Sequence, residues 1–236
     1  MKNNHISLIQ KQQQAILSSK INYLNKNNPE RAPLEQFIHQ VYKKYYAINL
    51  SSFYPHLISI KTTNNKLKAV AGIRNAATET LFSEYYLKQD LEITLKQCYG
   101  CNISRDSVVE VGNLAPASVG QMRWLITSIT AFLHGAGFKY IVFTLAKGVY
   151  NAFKRMGLHL DVLADARRDC LPAKLQQEWN DSYYQASPKV LTGDIGYGFL
   201  EMQQNIRQAN PQLLPLFEQA YQLGLNIKQA NVSQVA

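Results

Sequence analysis

Residues 108–157 read VVEVGNLAPASVGQMRWLITSITAFLHGAGFKYIVFTLAKGVYNAFKRMG, and this stretch decides the fold. An apolar run over residues 108–114 leads through a short turn to apolar residues spaced three and four apart over residues 122–136. A second apolar run, Tyr140–Leu145, precedes a short helical pattern that closes at Gly157. Continuous apolar runs fit strands covered on both faces, and the spacing of three and four fits a helix with one buried face. The order predicts a strand–helix–strand unit with parallel strands and a right-handed crossover.

The rest of the chain supplies further strands and helices around this unit. An Asn-Asn turn between residues 57–62 and 67–74 predicts a β-hairpin, and residues 158–163 and 190–195 predict two more strands. Apolar stripes predict helices over residues 7–25, 34–45, 91–98, 199–206 and 213–223. We expect a single α/β domain over residues 1–236, with a helical N-terminal part (1–50), a mixed-sheet core (51–198) and C-terminal helices (199–236).

The composition narrows the class of protein without naming a ligand. The chain is 46% hydrophobic and 17% charged, which indicates a folded domain, and its net charge is +9. A positive balance suits nucleotide phosphates, an acidic carrier protein, nucleic acid or anionic lipid, and an ordinary mixed surface explains it equally well. No secretory signal is visible, and the uncharged residues 124–138 are too few for a bilayer span. We therefore expect a cytoplasmic protein.

Cysteine and histidine spacing gives no reason to expect a metal. Cys98 and Cys101 form a C-x-x-C pair, but no second pair and no nearby histidine follow. A redox role for the pair remains an alternative, although no βαβ context opens there. The glycines at residues 193–198 lack the Lys-Ser/Thr of a phosphate-binding loop, so we interpret them as a strand-to-helix turn.

The turn at residues 116–120 is a candidate anion site. Ser118 and Gln121 form a capping-box pattern, and the amides of Val119, Gly120 and Gln121 would point outward from the helix start. The helix dipole favours phosphate at such a position, although an ordinary capped helix has the same pattern. Gly112 with Asn113 inside the preceding strand predicts a β-bulge. A bulge that splays the parallel strands would open a slot for an extended ligand.

The turn and the following short helix resemble the GNAT superfamily of N-acetyltransferases. The superfamily's phosphate turn reads Gln/Arg-x-x-Gly-x-Gly/Ala; Gly120 fits it, while Ala117 and Met122 differ. NAFKRMGL (151–158) is similar to the element in which an Asn lies by the pantetheine arm and an aromatic packs beside the cofactor. The resemblance implies a GNAT-like mixed sheet with splayed central strands, helices on both faces, and extra N- and C-terminal helices. It also implies binding of the thioester by Leu114, Ala115, Ala117, Val119, Gly120, Gln121, Met122, Asn151 and Phe153.

A closer resemblance covers most of the chain. It is similar to the thermostable hemolysin family in GIR (72–74), LFSEYYL (81–87), EVGNL (110–114), NAFKRMGL (151–158), SYY (182–184) and PKVLTGDI (188–195). The family's name implies lysis of red cells. Its core also resembles the acyl-homoserine lactone synthases, which use an acyl-carrier-protein thioester. Their strand motif is Trp-Glu-Leu-Ser-Arg, and residues 109–113 here keep only the acid, Glu110, so lactone synthesis is not supported.

Acyl transfer to an amine requires a base, and two acids are candidates. A carboxylate with a raised pKa can deprotonate the amine, and Glu84 and Glu110 are the glutamates within the matching blocks. Tyr85, or its neighbour Tyr86, is a candidate to protonate the leaving thiolate. Arg74 could bind a substrate carboxylate, and Asn113 would lie near the thioester carbonyl. Structural roles for these acids, packing for the tyrosine and an Arg74–glutamate pair are the alternatives.

The sequence thus leads to a hypothesis with two rivals. It predicts an acyltransferase that moves an acyl group from an acyl-CoA or acyl-ACP thioester to a small amine, with an acidic acyl carrier protein as one partner. The rivals are a membrane-active toxin that inserts residues 124–138, and a thioester-binding module without catalysis. We expect no metal and no nucleic acid, and membrane contact is left open.

Overall fold

A seven-stranded mixed sheet forms the centre of the computed structural model, which describes residue 16 and residues 18–233. Its order is β1-β2-β3-β4-β5-β7-β6. All neighbouring strands run antiparallel except β4 and β5, which are parallel. The strands are β1 (Ser19–Leu24), β2 (His56–Thr62), β3 (Leu67–Asn75), β4 (Val108–Pro116), β5 (Tyr140–Leu145), β6 (Asp161–Asp165) and β7 (Lys189–Asp194).

Helices cover both faces of this sheet. They are α1 (Ala32–Tyr46), α2 (Leu91–Tyr99), α3 (Gln121–Ala136), α4 (Lys147–Arg155), α5 (Ala173–Glu178), α6 (Asp181–Gln185), α7 (Ile195–Ala209) and α8 (Leu214–Ser233). Side chains alternate between faces along a strand, so Ile58 packs with α3 and α8 while its neighbour Leu57 packs with α1. The arrangement confirms the mixed sheet with helices on both faces.

The strand–helix–strand unit predicted from the sequence is present. Buried residues occupy most of α3, which explains its long apolar stripe. The helix ends where Gly137 adopts a φ of +87°, and the amide of Phe138 donates to the carbonyl of Leu133 at 3.2 Å. The predicted strand-to-helix turn at residues 193–198 is also confirmed, because the Asp194 side chain accepts a hydrogen bond from the amide of Tyr197 at the start of α7.

The prediction of a helix over residues 7–25 is wrong for its last part. Residues Ser19–Leu24 form β1, which pairs with β2 from Ser19 opposite Thr62 to Leu24 opposite Leu57. Ile21 and Leu24 are buried by this pairing, so the strand satisfies the same apolar residues that suggested a helix. Residues 7–15 and 17 lie outside the described part of the chain.

The buried position of α3 bears on the membrane question. Residues 124–138 span most of α3, whose apolar side lies against the sheet, α7 and α8. Within the described residues, no helix combines the length and the apolar character that crossing a bilayer requires.

Candidate active site

The two parallel strands β4 and β5 separate after a short stretch of pairing. Among the described residues they pair only from Val108 opposite Tyr140 to Glu110 opposite Val142. Beyond Glu110, β4 continues along β3 while β5 continues along β7. The predicted bulge is confirmed on β4, since Asn113 has a φ of +49° and the β3–β4 register shifts beside it. The result is a gap between the two strands, as expected from the sequence.

A cavity of about 600 Å³ occupies this gap. Its walls come from both faces of the sheet, because Val41 belongs to α1 whereas Trp124 and Leu213 belong to the opposite core. The cavity therefore passes through the sheet between the diverging strands. Its lining is mainly apolar: Ile16, Val41, Tyr45, Tyr46, Leu114, Pro116, Ser118, Val119, Gly120, Met122, Arg123, Trp124, Ala146, Gly148, Val149, Ala152, Arg155, Ala186, Gln212 and Leu213. We refer to it as the gap cavity.

The β4–α3 turn at the gap cavity presents two free amides. The N–H groups of Val119 and Gly120 have no hydrogen-bond partner among the described residues, whereas that of Gln121 donates to the Ser118 carbonyl at 3.0 Å. The predicted capping box is wrong, because α3 begins after Gly120 and the Ser118 side chain makes no cap. Backbone hydrogen bonds replace the capping box, from the amide of Gln121 to the Ser118 carbonyl and from that of Met122 to the Val119 carbonyl. The positive end of the α3 dipole still lies at the cavity, because Val119 and Gly120 both line it.

Two arginines that the sequence analysis missed lie at this cavity. Arg123 and Arg155 both line it, both are exposed, and neither has an ion pair within the part of the chain that the structure describes. Arg123 lies in the first turn of α3, where the helix dipole disfavours a cation. A cation placed there against the dipole is the sequence signal that could have indicated an anionic ligand.

The structure brings four of the nine predicted thioester-binding residues to the gap cavity. These are Leu114, Val119, Gly120 and Met122. Ala115 packs in the α1 core, the amide of Ala117 donates to the Lys68 carbonyl at 2.8 Å, and Phe153 packs on Phe143 with ring centres 4.9 Å apart. Gln121 and Asn151 are half-buried and do not line the cavity. On α4 the lining residues are Gly148, Val149, Ala152 and Arg155.

A second, smaller cavity of about 60 Å³ adjoins the first at the bulge; we call it the bulge cavity. Asn113 lines the bulge cavity while the next residue, Leu114, lines the gap cavity. At the end of β5, Thr144 likewise lines the bulge cavity, and Ala146 lines the gap cavity. The bulge cavity carries the predicted pair Arg74 and Asn113, and its other lining residues are Tyr42, Leu50, Ser52, Tyr54, Phe82, Gly112, Thr144, Leu175, Glu178, Trp179 and Tyr183.

Glu110 is completely buried beneath the bulge cavity and lines neither cavity. It accepts hydrogen bonds from the amides of Phe82 at 2.8 Å and Ser83 at 2.7 Å, and from the Ser83 hydroxyl. Arg74 Nη1 lies 4.0 Å from its carboxylate. Burial raises the pKa of Glu110, and these hydrogen bonds and the Arg74 charge offset only part of that rise. The carboxylate is therefore well suited to hold a proton but has no direct access to a ligand.

Glu84 and Tyr85 lie outside both cavities. Burial alone would raise the pKa of Glu84, but hydrogen bonds from Arg105, at 2.7 Å, and from the Leu81 amide, at 2.8 Å, lower it below its usual value. Tyr85 is 41% exposed and packs its ring on Phe82. The arrangement favours a structural role for Glu84, as a cap of the 3-10 turn Phe82–Tyr86.

Comparison with solved structures defines the class of this fold. The chain superposes on TofI with a TM-score of 0.53 at 10% identity, covering 82% of this chain and 98% of that one. It superposes on MesI, a CoA-dependent acyl-homoserine lactone synthase, with a TM-score of 0.52 at 14% identity, covering 81% and 95%. It superposes on FeeM, an N-acyl amino acid synthase from uncultured soil microbes, with a TM-score of 0.50 at 11% identity, covering 81% of this chain and 98% of that one. The chain thus shares the GNAT-like fold of these three structures, as the sequence predicted.

The family follows from the sequence match. The thermostable hemolysin family model matches residues 24–199, more than half of the chain, and the chain belongs to that family. This confirms the family resemblance found in the sequence. No curated protein matches the chain.

Proposed function

We propose that this protein is an N-acyltransferase that takes an acyl group from a thioester of coenzyme A or of an acyl carrier protein. The acyl group passes to a small amine held in the bulge cavity. The observation that carries the proposal is the apolar gap cavity, which passes through the sheet where β4 and β5 separate after Glu110 and Val142. An extended ligand with an anionic end and an apolar end matches its shape and lining.

The thioester would lie along β4. Past Glu110 the backbone of β4 no longer pairs with β5, so its polar groups on that side can bond the amides of a pantetheine arm as an added strand would. The phosphate end would meet the Val119 and Gly120 amides with Arg123 and Arg155 beside them. The acyl chain would occupy the apolar remainder of the gap cavity.

The amine acceptor would lie in the bulge cavity. Arg74 and Glu178 place one cation and one carboxylate in its lining, among aromatic side chains. Such a lining suits a small zwitterion, such as an amino-acid derivative. The Arg74 charge is shared with Glu79, 3.2 Å from its Nε, so the acceptor carboxylate competes for it with an ion pair in which only Glu79 is exposed.

Asn113 would stabilise the transition state at the junction of the two cavities. Its Oδ1 accepts a hydrogen bond from the Tyr54 amide at 2.9 Å, which fixes the orientation of the side-chain amide. Its NH₂ group is then available to donate to the thioester oxygen as negative charge develops there. The amine attacks directly, because no Cys and no His line either cavity among the described residues. Glu110 serves as the final proton acceptor.

Two sets of variants test the thioester site, and the first fills the gap cavity. Titration calorimetry with acyl-CoA and acyl carrier protein should show binding by the native protein, and mass spectrometry should show acylated amino acid. Val149→Trp fills the gap cavity and should abolish binding, whereas Val162→Trp is the matched control on the 51% exposed Val162 of β6. Equal binding by both variants would remove the gap cavity from the proposal.

The second set of variants reverses a charge at the β4–α3 turn. Arg123→Glu should weaken acyl-CoA binding at least about tenfold, since it converts a phosphate partner into a like charge. Lys139→Glu carries the same charge change at the opposite end of β5, where an exposed lysine lies outside the cavities, and should leave binding nearly unchanged. A similar loss in both variants would indicate only a general effect of net charge.

Membrane lysis is the second candidate, and the family's name supports it. Insertion of residues 124–138 would require α3 to leave the core, where Leu125 and Leu133 are fully buried. The third candidate, a binding module without catalysis, predicts thioester binding with no acylated product from any amine. Product formation by the native protein separates it from the first.

A further inference from the structure

We propose that Tyr54 relays the proton of the acceptor amine to Glu110, and that it is therefore a catalytic residue of the transfer. This inference rests on the proposed function and extends it, because neither Glu84 nor Glu110, the two bases predicted from the sequence, lines the cavity that would hold the acceptor. Tyr54 lies in the loop between α1 and β2 and lines the bulge cavity, whereas Glu110 lies beneath that cavity without lining it.

The sheet is shaped to receive this tyrosine. A Cβ atom built on Gly72 would lie 2.7 Å from Tyr54 Cβ, and one on Gly112 would lie 2.7 Å from both Cζ and the hydroxyl. The ring therefore crosses β3 and β4 at two positions that any side chain would block. Arg31 Nη2 donates to the Tyr54 carbonyl at 2.8 Å, which anchors the loop. The position of the phenol is thus fixed by the backbone around it.

The phenol reaches Glu110 where no ligand can. Its hydroxyl lies 2.7 Å from the position of a Gly112 Cβ, and Gly112 and Glu110, two residues apart on β4, face the same side of the sheet. Arg74 lies beside both groups, 4.3 Å from the centre of the Tyr54 ring and 4.0 Å from the Glu110 carboxylate. Phe82 and Ser83 supply three donors to that carboxylate, and a carboxylate has about four lone-pair sites. Tyr54 can take the fourth. The proposed proton path runs from the bulge cavity, which Tyr54 lines, through Tyr54 Oη to Glu110.

The chemistry balances along this path. The acceptor reacts as its neutral amine, after its ammonium form has lost one proton to solvent. The amine nitrogen forms a bond to the thioester carbon, the C–S bond breaks, and the sulfur leaves with the bonding electron pair and takes a proton from solvent. The nitrogen gives its proton to Tyr54 Oη while the phenol gives its own to Glu110. Burial and the charge of Glu110 raise the pKa of Tyr54 well above 10, so the two proton movements occur together. The Arg74 guanidinium, 4.3 Å from the centre of the ring, stabilises the charge that develops on the phenol oxygen.

The decisive variant is Tyr54→Phe, which keeps the ring over Gly72 and Gly112 and removes only the hydroxyl. Acyl transfer should fall about 100-fold or more, in the range of a lost general base, with the Kd for acyl-CoA unchanged. Tyr99→Phe is the matched control, since it removes a half-buried phenol that bonds Thr192 Oγ1 at 3.2 Å, away from both cavities. It should keep the native rate.

The pH profile distinguishes a relay from packing. In the native protein kcat/KM should rise with pH as Glu110 ionises, and Tyr54→Phe should lose that dependence. If Tyr54→Phe folds poorly, 3-fluorotyrosine at position 54 lowers the pKa of the phenol and should change the rate of transfer, while the pH at which the rate rises stays that of Glu110. Transfer at the native rate in Tyr54→Phe, or a rate unchanged by fluorination, overturns the relay alone. Absence of any transfer by the native protein overturns the proposed function and the relay together.

Discussion

Glu84 and Glu110 contact the same 3-10 turn, yet their surroundings move their pKa values in opposite directions. Glu84 is half-buried and meets the charge of Arg105, whereas Glu110 is completely buried and meets mainly neutral donors. The first carboxylate is therefore held ionised, and the second binds a proton more readily than usual. The two glutamates therefore differ in what they can do: Glu84 stabilises the turn, and Glu110 is the one suited to accept a proton in the proposed reaction.

The lowered pKa of Glu84 predicts how stability changes with acid. The unfolded state binds a proton near pH 4.3 and the folded state only at lower pH, so the stabilisation is complete above that value and is lost as pH falls through the folded pKa. Urea unfolding between pH 6 and pH 3 should show Glu84→Gln less stable than the native protein at pH 6, with the gap closing on acidification. Glu218→Gln, an exposed position without an ion pair among the described residues, is the control. A gap that stays constant with pH would contradict the assignment.

Sequence patterns reached only part of the candidate site. Glu110, Arg74 and Asn113 lie on strands with recognisable neighbours, and the structure brings them together. Tyr54 and Glu178 lie in a loop and at the end of a short helix. No periodicity marks either position. The position of Tyr54 near Glu110 depends on the folded sheet, because the ring gets there only by crossing over Gly72 and Gly112.

At the scale of elements, local sequence was sufficient where an element carries its own signals. The apolar stripe and terminal glycine of α3 predicted that helix, and the pair Gly112 and Asn113 predicted the bulge. The local pattern mispredicted β1 as a helix, because this segment forms a strand only by pairing with β2. The extent of the splay could not be read either, because it depends on how far β4 and β5 share a register.

The crossing of α3 and α8 depends on two glycines. A Cβ on Gly135 would lie 2.4 Å from the Tyr221 carbonyl oxygen, and one on Gly224 would lie 2.2 Å from that of Phe132. Either change to alanine forces the helices apart, and we expect a loss of about 1–3 kcal/mol despite the better helix propensity of alanine. Gly148→Ala, where a Cβ meets nothing within 4 Å, should be neutral or slightly stabilising. Urea unfolding measures all three, and an unchanged stability in Gly224→Ala would contradict the close crossing.

At the scale of the whole molecule, the gap cavity and the bulge cavity meet on either side of one strand segment. Asn113 lines the bulge cavity and the next residue, Leu114, lines the gap cavity. A thioester and an amine held in them would therefore be brought together by the bulge itself. The product would combine an apolar chain with a small polar head, and would no longer carry the large charged group of the carrier.

Such a product would account for the lysis that the family's name implies without requiring a helix to insert. An acyl chain contributes about 0.8 kcal/mol per buried CH₂ to membrane binding, so a long-chain acylated amine partitions into bilayers. We predict that the purified protein alone leaves liposomes intact, and that leakage appears only with long-chain acyl-CoA and an amine, growing with time. Val149→Trp with the same acyl-CoA should cause no additional leakage, while Val162→Trp should behave as the native protein. Leakage caused by the protein alone, and equal in Val149→Trp, would instead favour a protein that disrupts the membrane by itself.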